Sequence, residues 1–157
     1  MSLCLGPSTI IGTITTAILG VMSPDEVKTY VGVTLEPYDS HQLDFNEPIG
    51  SFGVEWDVHK NVRLFVEHFS TPAQCNDHPG VNHAGVKFLA PLSPDLTVYS
   101  GISLNNTEFD SNDNFDGPLG SIGIEYGNDL KLFAEYLGSI KEFEGGRTSI
   151  GLKVFFK

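Results

Sequence analysis

Val62-Arg63-Leu64-Phe65-Val66-Glu67-His68-Phe69-Ser70 alternates with period two, and after an irregular segment at Thr71 to Gly80 the run Asn82-His83-Ala84-Gly85-Val86-Lys87-Phe88 does the same. Successive side chains of a β-strand point to opposite faces. Val62, Leu64, Val66, His68 and Ser70 therefore share one face, while Arg63, Phe65, Glu67 and Phe69 take the other. On the second run the apolar face carries Asn82, Ala84, Val86 and Phe88. The two runs read as antiparallel strands, and a hydroxyl, an imidazole and an amide gather at one end of an otherwise greasy surface.

Working outward, the chain repeats itself. Ser51-Phe52-Gly53-Val54-Glu55-Trp56 corresponds to Ser121-Ile122-Gly123-Ile124-Glu125-Tyr126, and Arg63-Leu64-Phe65-Val66-Glu67-His68 to Lys131-Leu132-Phe133-Ala134-Glu135-Tyr136. Upstream, Val31-Gly32-Val33-Thr34-Leu35 matches Ser100-Gly101-Ile102-Ser103-Leu104; downstream, Ala84-Gly85-Val86-Lys87-Phe88 matches Ile150-Gly151-Leu152-Lys153-Val154. A four-strand unit used twice, over 28-89 and 95-156, predicts eight strands near 28-36, 49-57, 61-70, 81-89, 95-105, 119-127, 129-138 and 147-156.

The connections alternate in length. Short turns fall at Asp57 to Asn61, Ala90 to Asp95 and Gly127 to Asp129; longer polar segments fall at 37-48, 71-80, 106-118 and 139-146. Short turns at one end and long loops at the other are the habit of outer-membrane barrels, whose tilted strands are of this length. A soluble barrel with the apolar set inside also satisfies the alternation, so three further features carry the choice. Glu55, Glu67, Glu125 and Glu135 share a face with Arg63, Lys87, Lys131 and Lys153, which suits a paired network filling a narrow interior, because buried charges must be paired. Glycines on that face leave room where eight strands close tightly. Trp56, Phe88, Tyr126 and Phe156 all fall at the turn end, as an interfacial aromatic girdle does. The expected fold is all-β: an eight-stranded antiparallel up-and-down β-barrel of outer-membrane type over residues 25-157.

A formal charge of -11 and a pI near 4.6 argue against nucleic acid as a partner, since binding there rests on neutralising phosphates with Lys and Arg. Acidic residues gather instead in the expected loops: Asp39, Asp44, Glu47, Asp77, Glu108, Asp110, Asp113 and Asp116. Residues 1-24 carry no charged side chain, and Ile10 to Met22 is mostly apolar. This segment reads as a signal or an anchor; it lacks a basic start, and its apolar run is shorter than the roughly 20 residues of a spanning helix. The two cysteines, Cys4 and Cys75, lie far apart, and nothing in their spacing specifies a disulfide.

The chemistry centres on the first two runs. His68 and Ser70 stand on one strand face about 7 Å apart at Cα, and Asn82 on the neighbouring strand can lie beside them. A histidine within reach of a hydroxyl, oriented by a third polar group, is the arrangement of an activated serine nucleophile, and an amide can serve as the orienter. His68-Phe69-Ser70, then His78-Pro79-Gly80 and Asn82, resembles the His-x-Ser motif and following acid of the PagL family of outer-membrane lipid A 3-O-deacylases. The resemblance implies an eight-stranded barrel that removes an ester-linked acyl chain from lipid A in the lipopolysaccharide of the membrane, without a cofactor. It makes His68 the base and Ser70 the nucleophile, and places Asn82 where the family usually has a glutamate. The second unit has Tyr136, Gly138 and Thr148 at the corresponding positions and no second site.

A non-catalytic outer-membrane barrel acting as an adhesin, receptor or receptor-masking protein through acidic loops fits the same pattern, as does a soluble barrel within a larger assembly. Asp77, His78 and His83 offer metal-binding groups without a diagnostic spacing, and His83 is expected to point inward. The oxygen-rich run Asp110 to Gly117 lacks the Gly and Glu of a helix-loop-helix calcium site and reads as a solvated loop. No metal site is therefore expected. Glu67 is expected inside the barrel as a partner of Arg63 or Lys87, and the pattern leaves the oligomeric state open.

Overall fold

The computed structural model describes residues 27–35, 48–70, 81–106, 118–140 and 146–156; residues 70, 81, 105, 106 and 147 are described through their backbone alone. Residues 1-24, Cys4, Cys75, Asp77, His78 and the run 110-117 lie outside the described residues. Eight strands follow in order: β1 (Val27–Leu35), β2 (Ile49–His59), β3 (Val62–Ser70), β4 (Val81–Pro91), β5 (Leu96–Asn106), β6 (Leu119–Gly127), β7 (Leu130–Ser139) and β8 (Arg147–Phe156). Each pairs antiparallel with its neighbour, and β8 pairs back onto β1, closing the barrel. Strand boundaries agree with the sequence reading to within two residues. Strands of 9 to 11 residues are long enough to span about 25 Å at the tilt usual for membrane barrels.

The exterior is apolar and the interior charged. Large hydrophobic side chains from Val31, Leu35 and Phe52 on one side to Ile122, Leu132, Ile150 and Phe156 on the other are all at least 47 % exposed. Each is worth ~1.5–3 kcal/mol when removed from water. A contiguous apolar belt of this extent is far larger than the patches soluble monomers expose and marks a surface covered by lipid. The alternative of a soluble barrel with its greasy face inside is overturned by this burial pattern. Glu55, Arg63, Glu67, Lys87, Glu125, Lys131 and Lys153 are instead the buried set, packed among Tyr30, Phe65, Tyr99, Phe133 and Phe155.

Those charges are paired across the lumen. Arg63 reaches Glu55 at 3.1 Å and donates through Nη1 to Glu125 Oε1 at 2.7 Å. Lys131 donates to Glu125 at 2.8 Å, Lys87 faces Glu135 at 3.5 Å, and Lys153 lies 3.5 Å from Glu55 and 3.3 Å from Glu67. The expected partner of Glu67 is Arg63 or Lys87; its ion-pair partner among the described residues is instead Lys153 on β8, because long side chains in so narrow a barrel meet across it as easily as along neighbouring strands. Two glycines make the packing possible. A Cβ on Gly53 would lie 2.6 Å from the Tyr30 hydroxyl oxygen, and one on Gly123 2.5 Å from that of Tyr99, so each tyrosine lies flat over a neighbouring strand that has no side chain there.

Candidate functional site

β3 and β4 are held in a register that puts His68 directly opposite Asn82. Both side chains are half-buried on the outer face. His68 Nδ1 and Asn82 Oδ1 are 2.9 Å apart. With the amide oxygen as acceptor, Nδ1–H donates, and in the neutral ring the lone pair is then left on Nε2. On the other side of β3 the register sets Phe52 against His68, with ring centroids 5.0 Å apart and planes tilted by 38°. The imidazole is thus fixed by a hydrogen bond on one flank and an aromatic ring on the other, as a positioned base has to be.

Of the three residues singled out in the sequence, the structure brings His68 and Asn82 together. Ser70 occupies the last position of β3, opposite Gly50 and two residues beyond His68; its side chain, and with it any contact between Oγ and the imidazole, lies outside the described residues. Strand periodicity puts position 70 on the face of His68, about 7 Å further toward the long-loop end. Glu67 faces the interior, as expected, and cannot orient His68. His83 also points inward, buried edge-on to Phe65 and Phe69 at centroid distances of 6.2 and 5.8 Å. Among the described residues no cluster of three or more His, Cys, Asp or Glu could hold a metal ion.

One participant in the site, Phe52, and one charge at the opposite, short-turn mouth, Asp57, were missed in the sequence. Phe52 was read only as part of the apolar wall, yet it stacks on His68. Asp57, which the sequence puts where the strand 49-57 meets its turn, lies within β2 at the short-turn mouth, where its carboxylate accepts from Arg63 Nε at 2.6 Å and from Lys28 Nζ at 3.3 Å. Both depend on the pairing of β2 with β3. That register shifts between Asp57 and His59, so a count outward from the turn would put Phe52 opposite Phe69 instead of His68. An acid facing the expected interior two residues after Glu55 was the available signal for Asp57.

No protein-family model matches the sequence, and no curated protein matches it. Among solved structures, the chain is similar to a barrel described as a de novo design of transmembrane β-barrels, at 20 % identity over 86 % of this chain and 98 % of that one, with a TM-score of 0.51. It is similar as well to the designed barrel TMB2.3, at 14 % identity over 84 % and 94 %, with a TM-score of 0.53. The outer-membrane protein Ail of Yersinia pestis aligns at 10 % identity over 83 % and 99 %, with a TM-score of 0.44. The first two likenesses agree with the fold: this chain is a closed, eight-stranded antiparallel β-barrel like those designed transmembrane barrels.

Proposed function

We propose that the protein is a non-catalytic outer-membrane barrel that presents acidic loops as a binding surface for cationic partners. The observation that carries this reading is the division of charge. The four long connections, residues 36–47, 71–80, 107–117 and 141–145, contain eleven of the twenty acidic residues and one of the nine basic ones. The strands and short turns, by contrast, are close to neutral, with their buried charges matched one against another. Strand order sends all four connections out at the same end of the barrel. The network of Arg63, Lys131, Lys153 and their glutamates occupies the lumen, which favours a scaffold over a pore. Binding of this kind weakens steeply with salt.

The test is adsorption of the barrel in lipid vesicles to a polylysine surface and to a polyglutamate surface, at low and high salt. Adsorption to polylysine alone, lost at high salt and lost when the acids of 36–47 and 107–117 are replaced by Asn and Gln, is the expected result. Equal adsorption of the neutralised variant contradicts the reading.

The hydrogen bond between His68 and Asn82 favours a second reading, a serine ester hydrolase acting on lipid A. Here His68 takes the Ser70 proton as Ser70 attacks the acyl carbonyl, the ester C–O bond breaks and the sugar hydroxyl leaves with that proton, and water, deprotonated by His68, then releases the acyl group from Ser70 as a carboxylic acid. His68 lies two residues from the long-loop end of β3, near headgroup level, where a polar pair on a lipid-facing surface is tolerated. The mechanism uses no cofactor. Mass spectrometry of lipid A after incubation with the refolded barrel tests it: loss of one hydroxyacyl chain with the natural sequence and not with Ser70→Ala supports hydrolysis, and unchanged lipid A in both contradicts it.

A further inference from the structure

The internal repeat extends beyond sequence to the contacts that close the barrel. Within the first half, Val31 pairs with Phe52, Val54 with Val66 and Leu64 with Val86; within the second, the corresponding pairs are Ser100 with Ile122, Ile124 with Ala134 and Leu132 with Leu152. The two seams between the halves match as well. At β4–β5, Ala84, Val86, Phe88 and Ala90 face Leu104, Ile102, Ser100 and Val98; at β8–β1, Ile150, Leu152, Val154 and Phe156 face Leu35, Val33, Val31 and Thr29. These are the same register positions of the repeat.

The lysine contacts that cross the seams obey the same symmetry, although Leu89 stands opposite Tyr99 at one seam where Phe155 packs against Tyr30 at the other. Lys87 Nζ lies 4.2 Å from the Tyr99 ring across one seam, and Lys153 Nζ lies 4.2 Å from the Tyr30 ring across the other. Within its own half each lysine also sits over a phenylalanine, Lys87 at 5.1 Å from Phe65 and Lys153 at 5.2 Å from Phe133. Across the lumen, Lys87 faces Glu135 at 3.5 Å and Lys153 faces Glu67 at 3.3 Å. Each half supplies two glutamates and two cations to the interior: Glu55, Glu67, Arg63 and Lys87 in one, Glu125, Glu135, Lys131 and Lys153 in the other. The outer face near the loops does not repeat, having His68 and Asn82 in one half and Tyr136 and Thr148 in the other. What the halves share is therefore what closure requires.

We propose that each half, residues 27–91 and 96–156, is self-complementary: two copies of either half close the same eight-stranded barrel, β4 of one copy pairing with β1 of the other in the register of the natural seam. The partner that fits the open edges of a half is a second copy of that half. Its lysine then finds the tyrosine and glutamate of the other copy, and the count of interior acids against cations stays balanced.

Two full-length tandem chains test this, one carrying 27–91 twice and the other 96–156 twice, each joined through the natural turn 92–95. They are refolded into lipid vesicles beside the natural chain and assayed by far-ultraviolet circular dichroism and by resistance to trypsin. The expected result is a trypsin-resistant barrel from both tandems. Failure of either to close, with the natural chain closed under the same conditions, overturns the proposal. In the natural chain, Lys87→Met and Lys153→Met should each lower the urea midpoint, the second by more because Lys153 also lies 3.5 Å from Glu55 and donates to the Tyr30 hydroxyl at 3.1 Å; a loss confined to one of them overturns the equivalence of the seams.

Discussion

Replacing Arg63 with Met removes the cation that three carboxylates share. Arg63 is buried and holds Glu55, Asp57 and Glu125 at 3.1, 2.6 and 2.7 Å. Removing one partner of a buried ion pair costs ~3–5 kcal/mol, because the remaining charge stays desolvated. Here each acid keeps a second cation: Glu125 keeps Lys131 at 2.8 Å, Glu55 keeps Lys153 at 3.5 Å, and Asp57 keeps Lys28 at 3.3 Å. The expected loss for Arg63→Met therefore sits at the low end, ~3 kcal/mol. The half-exposed Lys28–Asp57 pair is worth ~1 kcal/mol or less, so Lys28→Ala is the matched control. Adding Glu55→Gln to Arg63→Met should recover part of the loss, because it removes the surplus acid while Lys153 keeps Glu67 at 3.3 Å. The assay is equilibrium urea unfolding in lipid vesicles, followed by the fluorescence of Trp56, the single tryptophan of the chain. A loss for Arg63→Met no larger than that for Lys28→Ala would refute the view of the lumen as a closed, mutually dependent charge network.

Other outcomes follow from the same geometry. Gly53→Ala and Gly123→Ala should each lower the urea midpoint in vesicles, since the new Cβ would sit 2.6 or 2.5 Å from a tyrosine hydroxyl oxygen, whereas Ala at exposed Ile122 should be tolerated better. Ile122→Arg on the outer face should cost ~2–4 kcal/mol if the position lies near mid-bilayer, measured in the same titration. His68→Ala should change stability by ~1 kcal/mol or less, the worth of one partly exposed hydrogen bond; under the hydrolase reading it also abolishes the loss of acyl chains seen by mass spectrometry of lipid A.

Much of this fold was legible because two separate periodicities agree. Period-two alternation assigned Glu55, Arg63, Lys87 and Lys153 to one face and Phe52, Leu64, Ile102 and Ile150 to the other, and the repeat at 28-89 and 95-156 counted the strands. Alternation alone does not say which face meets water. The equal numbers of acids and cations on the polar face did, since a matched set is what a narrow interior needs and a solvated surface does not. The exact partners were not legible. Whether Glu67 meets Arg63, Lys87 or Lys153 depends on how strands lean across the lumen, and the contact of Phe52 with His68 depends on a bulge after Asp57 that no turn signal marks.

The candidate site was legible in part. The juxtaposition of His68 and Asn82 follows once β3 and β4 pair with His68 opposite Asn82, and the polar residues at the end of an apolar face drew attention to it. Function is harder to read than fold because the interior, which has the strongest pattern, serves closure, and the segments richest in acids have no periodicity to interpret.

The most direct measurement of the central claim, a barrel with lipid outside and charge within, uses the natural sequence. Trp56 lies on the outer face at the short-turn end, so its fluorescence in vesicles should be quenched by lipids brominated in their acyl chains and shielded from aqueous iodide. Quenching by iodide with no effect of the brominated lipids would contradict the membrane orientation of the barrel.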